Sequence, residues 1–320
     1  MLKPRFLLQS LASVVLLAFL LSRIEWKALS AIWQQVNLPL ALTASLLTFL
    51  LIFLLAVRWR IFLTQQGIEM PLSSVLKLTW TGQFFNSFLP GSTGGDFSKL
   101  YQVCRRNPDR KTRAAVTVLL DRLSALAAMM VLAICAWVLG PSWKILHSGL
   151  VSLKPQNWML VSLLILALSV VCAWLVRRFG SEPWRQRGER LRAALSTGFQ
   201  CNAGTMAALF LAFVIHFVNF TIFFLFARAL GISLTYWQVL LILPVVFLLL
   251  LLPVTVNGHG LREVLLIFYF TQFGIHLAGG QPAGIAEIVI SLTLLCVAND
   301  LLWSLPGGLL GLIPFRPDRT

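Results

Sequence analysis

Arg262 and Glu263 follow a polar break, Leu252-Pro253-Val254-Thr255-Val256-Asn257-Gly258-His259-Gly260, and Asp96 and Lys99 follow another, Leu89-Pro90-Gly91-Ser92-Thr93-Gly94-Gly95. Both breaks interrupt apolar sequence. Glycines let backbone N–H groups turn toward a ligand, and the start of the helix that follows adds positive potential, which together suit a phosphate oxygen. Arg262 adds a planar guanidinium fork that keeps its charge when desolvated. The residues expected to contact a substrate are Asn86, Ser92, Thr93, Gly94, Asp96, Thr255, Asn257, Gly258 and Arg262. Asp121, Arg122, His259, Glu263 and Asp300 form a second set, expected to balance charge or couple transport to an ion. Alternatives stay open: Asp96 suits a helix N-cap, and Arg262 suits an internal pair with Glu263, Asp300 or Asp121. Asp121-Arg122 and Asn299-Asp300 read as ion-pair pins between helices, and His216 and Asn219 as polar residues of a bundle interior. His259 and Glu263 stand four apart, but nothing completes a metal set, so no metal and no cofactor is expected. His259 titrates near neutral pH, which leaves proton relay with Glu263 open.

These residues need a membrane scaffold to hold them. With 58% hydrophobic and 12% charged residues and mean hydropathy +0.84, the chain has too little polar surface for a soluble globule. Six apolar stretches are long enough to span a bilayer, 6–21, 38–57, 114–139, 158–176, 204–227 and 284–312. Two more, 72–101 and 237–273, carry the polar breaks. A break inside hydrocarbon frees backbone groups at a cost of several kcal/mol each, tolerable only where protein or water satisfies them. The expected fold is therefore an all-α polytopic membrane protein with about six spanning helices and two re-entrant helical hairpins.

Lys and Arg place the termini in the cytoplasm if each broken segment enters and leaves on one side. The first hairpin then dips in from the cytoplasm and the second from the opposite face, the signature of an inverted repeat. Local matches support it. Gly67-Ile68 returns as Gly231-Ile232, Val75-Leu76 as Val239-Leu240, Leu89-Pro90 as Leu252-Pro253, and Val118-x-x-Asp121 as Val297-x-x-Asp300 at a longer offset. The chain divides into an anchor helix (1–30), a first repeat (38–139), a linking span with a basic cytoplasmic loop (158–200) and a second repeat (204–312). The net charge of +15 follows mostly from topology and makes a basic edge for anionic head groups. Nucleic acid is not an expected partner, since no recognition fold accompanies the charge. Five separated cysteines suggest neither a disulfide framework nor a metal site.

Asn86-x-x-Leu89-Pro90-Gly91-x-x-Gly94-Gly95-Asp96-x-x-Lys99, Asp121-Arg122-Leu123 and Pro253-x-Thr255-x-x-Gly258-x-Gly260-x-Arg262-Glu263 together resemble the lysylphosphatidylglycerol synthase transmembrane-region, or flippase-like domain, family. Lys99 stands where that pattern has Arg. The resemblance implies a bacterial or archaeal inner-membrane protein, similar to the domain that moves aminoacylated phosphatidylglycerol between leaflets. The synthases continue into a soluble aminoacyltransferase domain; with the sequence ending at Thr320, the expectation is a stand-alone membrane part.

The leading expectation is a flippase for anionic or phosphate-bearing lipids, partnered by phospholipid and membrane, with homo-oligomerisation open. Alanine at Arg262 is expected to abolish transport and leave folding intact. The alternatives are a membrane-embedded enzyme acting on lipid or polyprenyl phosphate, or a subunit that docks a glycosyltransferase or lipid synthase. No nucleotide-binding P-loop is present in the sequence.

Overall fold

A computed structural model describes residues 26–88, 94–139, 202–250, 260–278 and 284–312. Among these residues the chain is helical throughout: α1 (Trp26–Gln34), α2 (Leu38–Gln65), α3 (Leu72–Phe88), α4 (Gly94–Arg106), α5 (Lys111–Leu139), α6 (Ala203–Ala229), α7 (Tyr236–Leu250), α8 (Leu261–Gln272) and α9 (Ile285–Leu312). A 3-10 turn, Pro108–Arg110, leads into α5. Four stretches are long and apolar enough to cross a membrane, Leu38–Gln65, Pro108–Ala136, Ala203–Ala229 and Ile285–Gly311. They correspond to four of the six expected spans. The other two, 6–21 and 158–176, and the basic loop that follows the latter lie outside the described residues.

The order long helix, two shorter helices, long helix occurs twice, as α2–α5 and α6–α9, and its local details repeat. Asn37 caps α2 by accepting a hydrogen bond from Leu40 N (3.2 Å), and Asn202 caps α6 by accepting one from Thr205 N (2.8 Å). The ends match as well. Gly67 (φ 71°) and Gly231 (φ 73°) take the left-handed conformation that glycine reaches without strain. In each case the following isoleucine closes the turn, Ile68 N to Leu63 O and Ile232 N to Ala227 O, both 2.9 Å. This is the Schellman arrangement. Ile68 and Ile232 are each 1% exposed, so the cap also plants an apolar anchor.

Helix contacts exchange in the same way. α2 and α6 pack on each other; α3 packs on α9 as α7 packs on α5; α2·α3, α3·α4, α4·α5 and α2·α5 have counterparts α6·α7, α7·α8, α8·α9 and α6·α9. The largest cluster of buried apolar residues is drawn mainly from α6–α9, including Phe220, Phe226, Leu243, Leu266 and Phe270. A smaller one around Trp59, Leu63, Val75 and Leu78 serves the first half.

Small residues let α9 approach α3 closely, as helix pairs in membranes require. A Cβ on Gly307 would run into the Trp80 carbonyl, and one on Gly308 would lie 2.6 Å from the Phe84 ring. Trp80 Nε1 donates to Trp303 O (2.6 Å), and Trp303 Nε1 to Ser45 Oγ (2.9 Å). Trp303, Gly307 and Gly308 thus serve to pack α9 on α3 and α2. Gly307→Val is expected to push α9 off α3 and to cost about 1–3 kcal/mol, typical of overpacking. A thermal melt in detergent checks this; an unchanged midpoint would mean that the two helices separate freely.

Candidate functional site

In the first half, one ion pair joins the two long helices and a second ties the hairpin to α5. Arg58 Nε of α2 donates to Asp121 Oδ1 of α5 at 2.8 Å, with the two side chains 3% and 13% exposed. Arg122, the next residue of α5, reaches the other way, its Nε donating to Asp96 Oδ2 at 2.6 Å. Asp121-Arg122 is thus a pin between helices, with each residue holding a different element. Arg58 ends an apolar run beside Arg60, as a cytoplasmic charge would, yet it is buried inside the bundle.

Asp96 lies in the first turn of α4 rather than at its cap, because the helix begins at Gly94. Asn86 of α3 accepts from Gly95 N (2.7 Å) through its Oδ1, so it braces the turn. A Cβ on Gly95 would meet the Gly82 carbonyl and the Asn86 amide, which explains why this crossing uses glycine. Trp59 Nε1 donates to Thr117 Oγ1 (3.2 Å), and Lys99 Nζ sits 5.2 Å from the centroid of the Trp59 ring, within cation–π range.

In the second half, Gly260 (φ 85°) turns the chain into α8. Its N–H donates to Glu263 Oε2 (2.6 Å), while Arg262 Nε and Nη2 donate to Glu263 Oε1 at 3.2 and 3.0 Å. Of the three internal partners open to Arg262, Glu263 is the one it pairs with here. Glu263 is the more buried member, at 5% exposure against 19%.

Arg262 also lines a cavity of about 270 Å³ shared by both halves, far more than the roughly 10–15 Å³ that one water needs. Gln83 comes from α3, Asn219 from α6, Arg262 from α8, and Thr293, Asn299 and Asp300 from α9; Phe223, Phe226 and Phe247 form apolar wall. Asn299 donates to Thr48 Oγ1 (2.9 Å), and its own Oδ1 is buried with no hydrogen-bond partner. Asn299-Asp300 is therefore not an ion-pair pin: Asn299 pairs with a threonine, and Asp300 forms no ion pair among the described residues. His216 is a bundle-interior group, its Nε2 2.8 Å from Ala125 O. Asn219, read the same way, faces the cavity instead.

Ser92, Thr93, Thr255, Asn257, Gly258 and His259 lie outside the described residues. Of the other expected contacts, Arg262 reaches the cavity, whereas Asn86, Gly94 and Asp96 belong to the hairpin of the first half. Sequence reasoning missed Gln83 and Arg58. Gln83 shares α3 with Asn86 and several hydroxyls, and nothing in the sequence singles it out as part of the facing wall.

The model of the lysylphosphatidylglycerol synthase TM region family matches residues 6–307, which is nearly the whole chain. The chain belongs to that family. It is therefore a multi-pass membrane protein of a family tied to lipid modification or transport, in keeping with its four long apolar helices. Comparison with curated proteins gives no match. For a member of the lysylphosphatidylglycerol synthase TM region family, a cavity with an arginine, three amides and a carboxylate among aromatic walls is a chemically apt place for a lipid head group.

Proposed function

We propose that this protein is a flippase that carries an anionic, phosphate-bearing lipid head group between the leaflets of the inner membrane. The observation that carries this reading is Arg262, a cation on the wall of a cavity lined by helices from both halves. The guanidinium would take the phosphate, Gln83, Asn219 and Asn299 would replace lost water contacts, and the acyl chains would stay in lipid. Ser92, Thr93, Thr255, Asn257 and Gly258 are assigned to the same head group from their places in the polar breaks.

On this reading the two halves form an inverted repeat whose hairpins, α3–α4 and α7–α8, enter from opposite faces. Each hairpin pairs two helices that flank one of the polar breaks. The repeated caps and exchanged contacts support a pair of equivalent halves, and rocking one against the other would open the cavity to each leaflet in turn.

The test is reconstitution into liposomes that hold head-group-labelled phosphatidylglycerol, its lysyl form or a polyprenyl phosphate. Exposure of label to a membrane-impermeant quencher should rise for one of these lipids over protein-free liposomes. Well-folded protein that accelerates none of them would overturn the proposal, and chemical turnover of lipid in detergent, where no leaflets exist, would put an enzyme in its place.

A further inference from the structure

The cavity has a counterpart in the first half, and that counterpart is filled. The offset that takes Gly67 to Gly231 takes Arg58 to Ile222 and Trp59 to Phe223; the offset between the two Leu-Pro pairs takes Lys99 to Arg262; and the offset between Asp121 and Asp300 takes Thr117 to Cys296. Ile222, Phe223, Arg262, Cys296 and Asp300 all line the cavity. Their counterparts pack together: Arg58 pairs with Asp121, Trp59 bonds Thr117, and Lys99 caps the Trp59 ring. The same architecture is thus closed by side chains in one half and open in the other.

The exchange of Arg58 for Ile222 decides the electrostatics. Asp121 has a counter-ion built into α2. Asp300 has isoleucine at the matching place, and Arg262, the one cation among the described residues that lines the same cavity, is already engaged by Glu263. Among the described residues, the other elements packed on α9 offer no charge toward it. α6 presents neutral Asn219, with His216 turned to the Ala125 carbonyl of α5. α3 presents Gln83, and α2 presents Thr48 and Ser45, bonded to Asn299 and Trp303. α1 has a single charged residue, the exposed Lys27. Asp300 stands midway along α9, a helix long and apolar enough to cross a membrane, and a carboxylate at that depth costs at least about 2.5–3.5 kcal/mol unless it is paired or wet.

We propose that Asp300 is the binding site of a mobile monovalent cation, filling in the second half the role that Arg58 fills permanently in the first. The proton is the simplest such cation: the carboxylate takes one from water on one side, becomes a neutral acid during the conformational change, and returns it to water on the other. Sodium would supply the same charge through coordination by Asp300 and the cavity amides. Binding of the cation stands apart from lipid movement, whereas its coupling to transport rests on the flippase reading above.

A carbodiimide, which reacts with protonated carboxyls in apolar surroundings, separates these cases on the purified protein in detergent. Modification of the Asp300 peptide, followed by mass spectrometry with Asp300→Asn as the blank, should fall severalfold between about pH 5 and about pH 9, a span that brackets ordinary and raised carboxylate values. Suppression at fixed pH by sodium but not by potassium would assign the site to sodium. Modification indifferent to both would overturn the proposal. In liposomes, a pH gradient should shift the leaflet distribution of the transported lipid by about tenfold per pH unit for one-to-one coupling, and the shift should vanish in Asp300→Asn. A gradient response retained by that variant would also overturn it. Absence of lipid movement in the wild type would sink the flippase reading, while the modification profile would still judge the cation site.

Discussion

Arg262→Ala is expected to cut lipid exchange by at least about tenfold, since a hydrogen bond to a charged group is worth about 1.5–3 kcal/mol and the fork offers more than one. The loss will not be purely functional. Arg262 is the partner of Glu263, which is 5% exposed, and breaking a buried pair from one side costs about 3–5 kcal/mol. The sequence alone suggested that folding would be untouched; the pair with Glu263 revises that expectation to a lowered melting temperature. Glu263→Gln added to Arg262→Ala removes the stranded charge while keeping a side chain able to accept the Gly260 N–H. The double variant is expected to regain most of the lost stability and none of the exchange. Exchange restored along with stability would mean that Arg262 serves only to hold α8 in place.

What the sequence made legible depended on how local the cause was. The long helices announce themselves as apolar runs, and the caps at Gly67 and Gly231 follow from glycine punctuation at matching places. Arg262 was legible because a cation beside a Gly/Pro break has few structural reasons to be there. Arg58 was not, because it ends an apolar run next to Arg60, and the same pattern describes any cytoplasmic helix end. Its burial depends on Asp121, which is 63 residues away. Gln83, Asn219 and Asn299 are amides on three different helices, and only their packing around one volume gives them a shared role. Asp300 shows the converse: read as the twin of Asp121, it has no ion-pair partner among the described residues, because the difference lies in a third residue, Ile222, on another helix.

Arg58→Met is expected to be the most damaging single change to stability, and its repair distinguishes scaffold from working site. With the guanidinium gone, Asp121, 13% exposed, is left as an uncompensated carboxylate, at a cost of about 3–5 kcal/mol. The damage should spread, since Asp121 adjoins Arg122 and that residue holds Asp96 at the start of α4; cysteines placed on α4 should become more reactive. Adding Asp121→Leu replaces both charges by apolar groups of similar size, a change that often restores or exceeds the original stability. Melting temperature in detergent should therefore fall for Arg58→Met and return in the double variant. If the first half is a closed counterpart whose ion pair only fills space and balances charge, lipid exchange should return with stability. Recovered stability without exchange would instead place the moving charge in the first half, with the Arg58–Asp121 pair opening and closing as lipid passes.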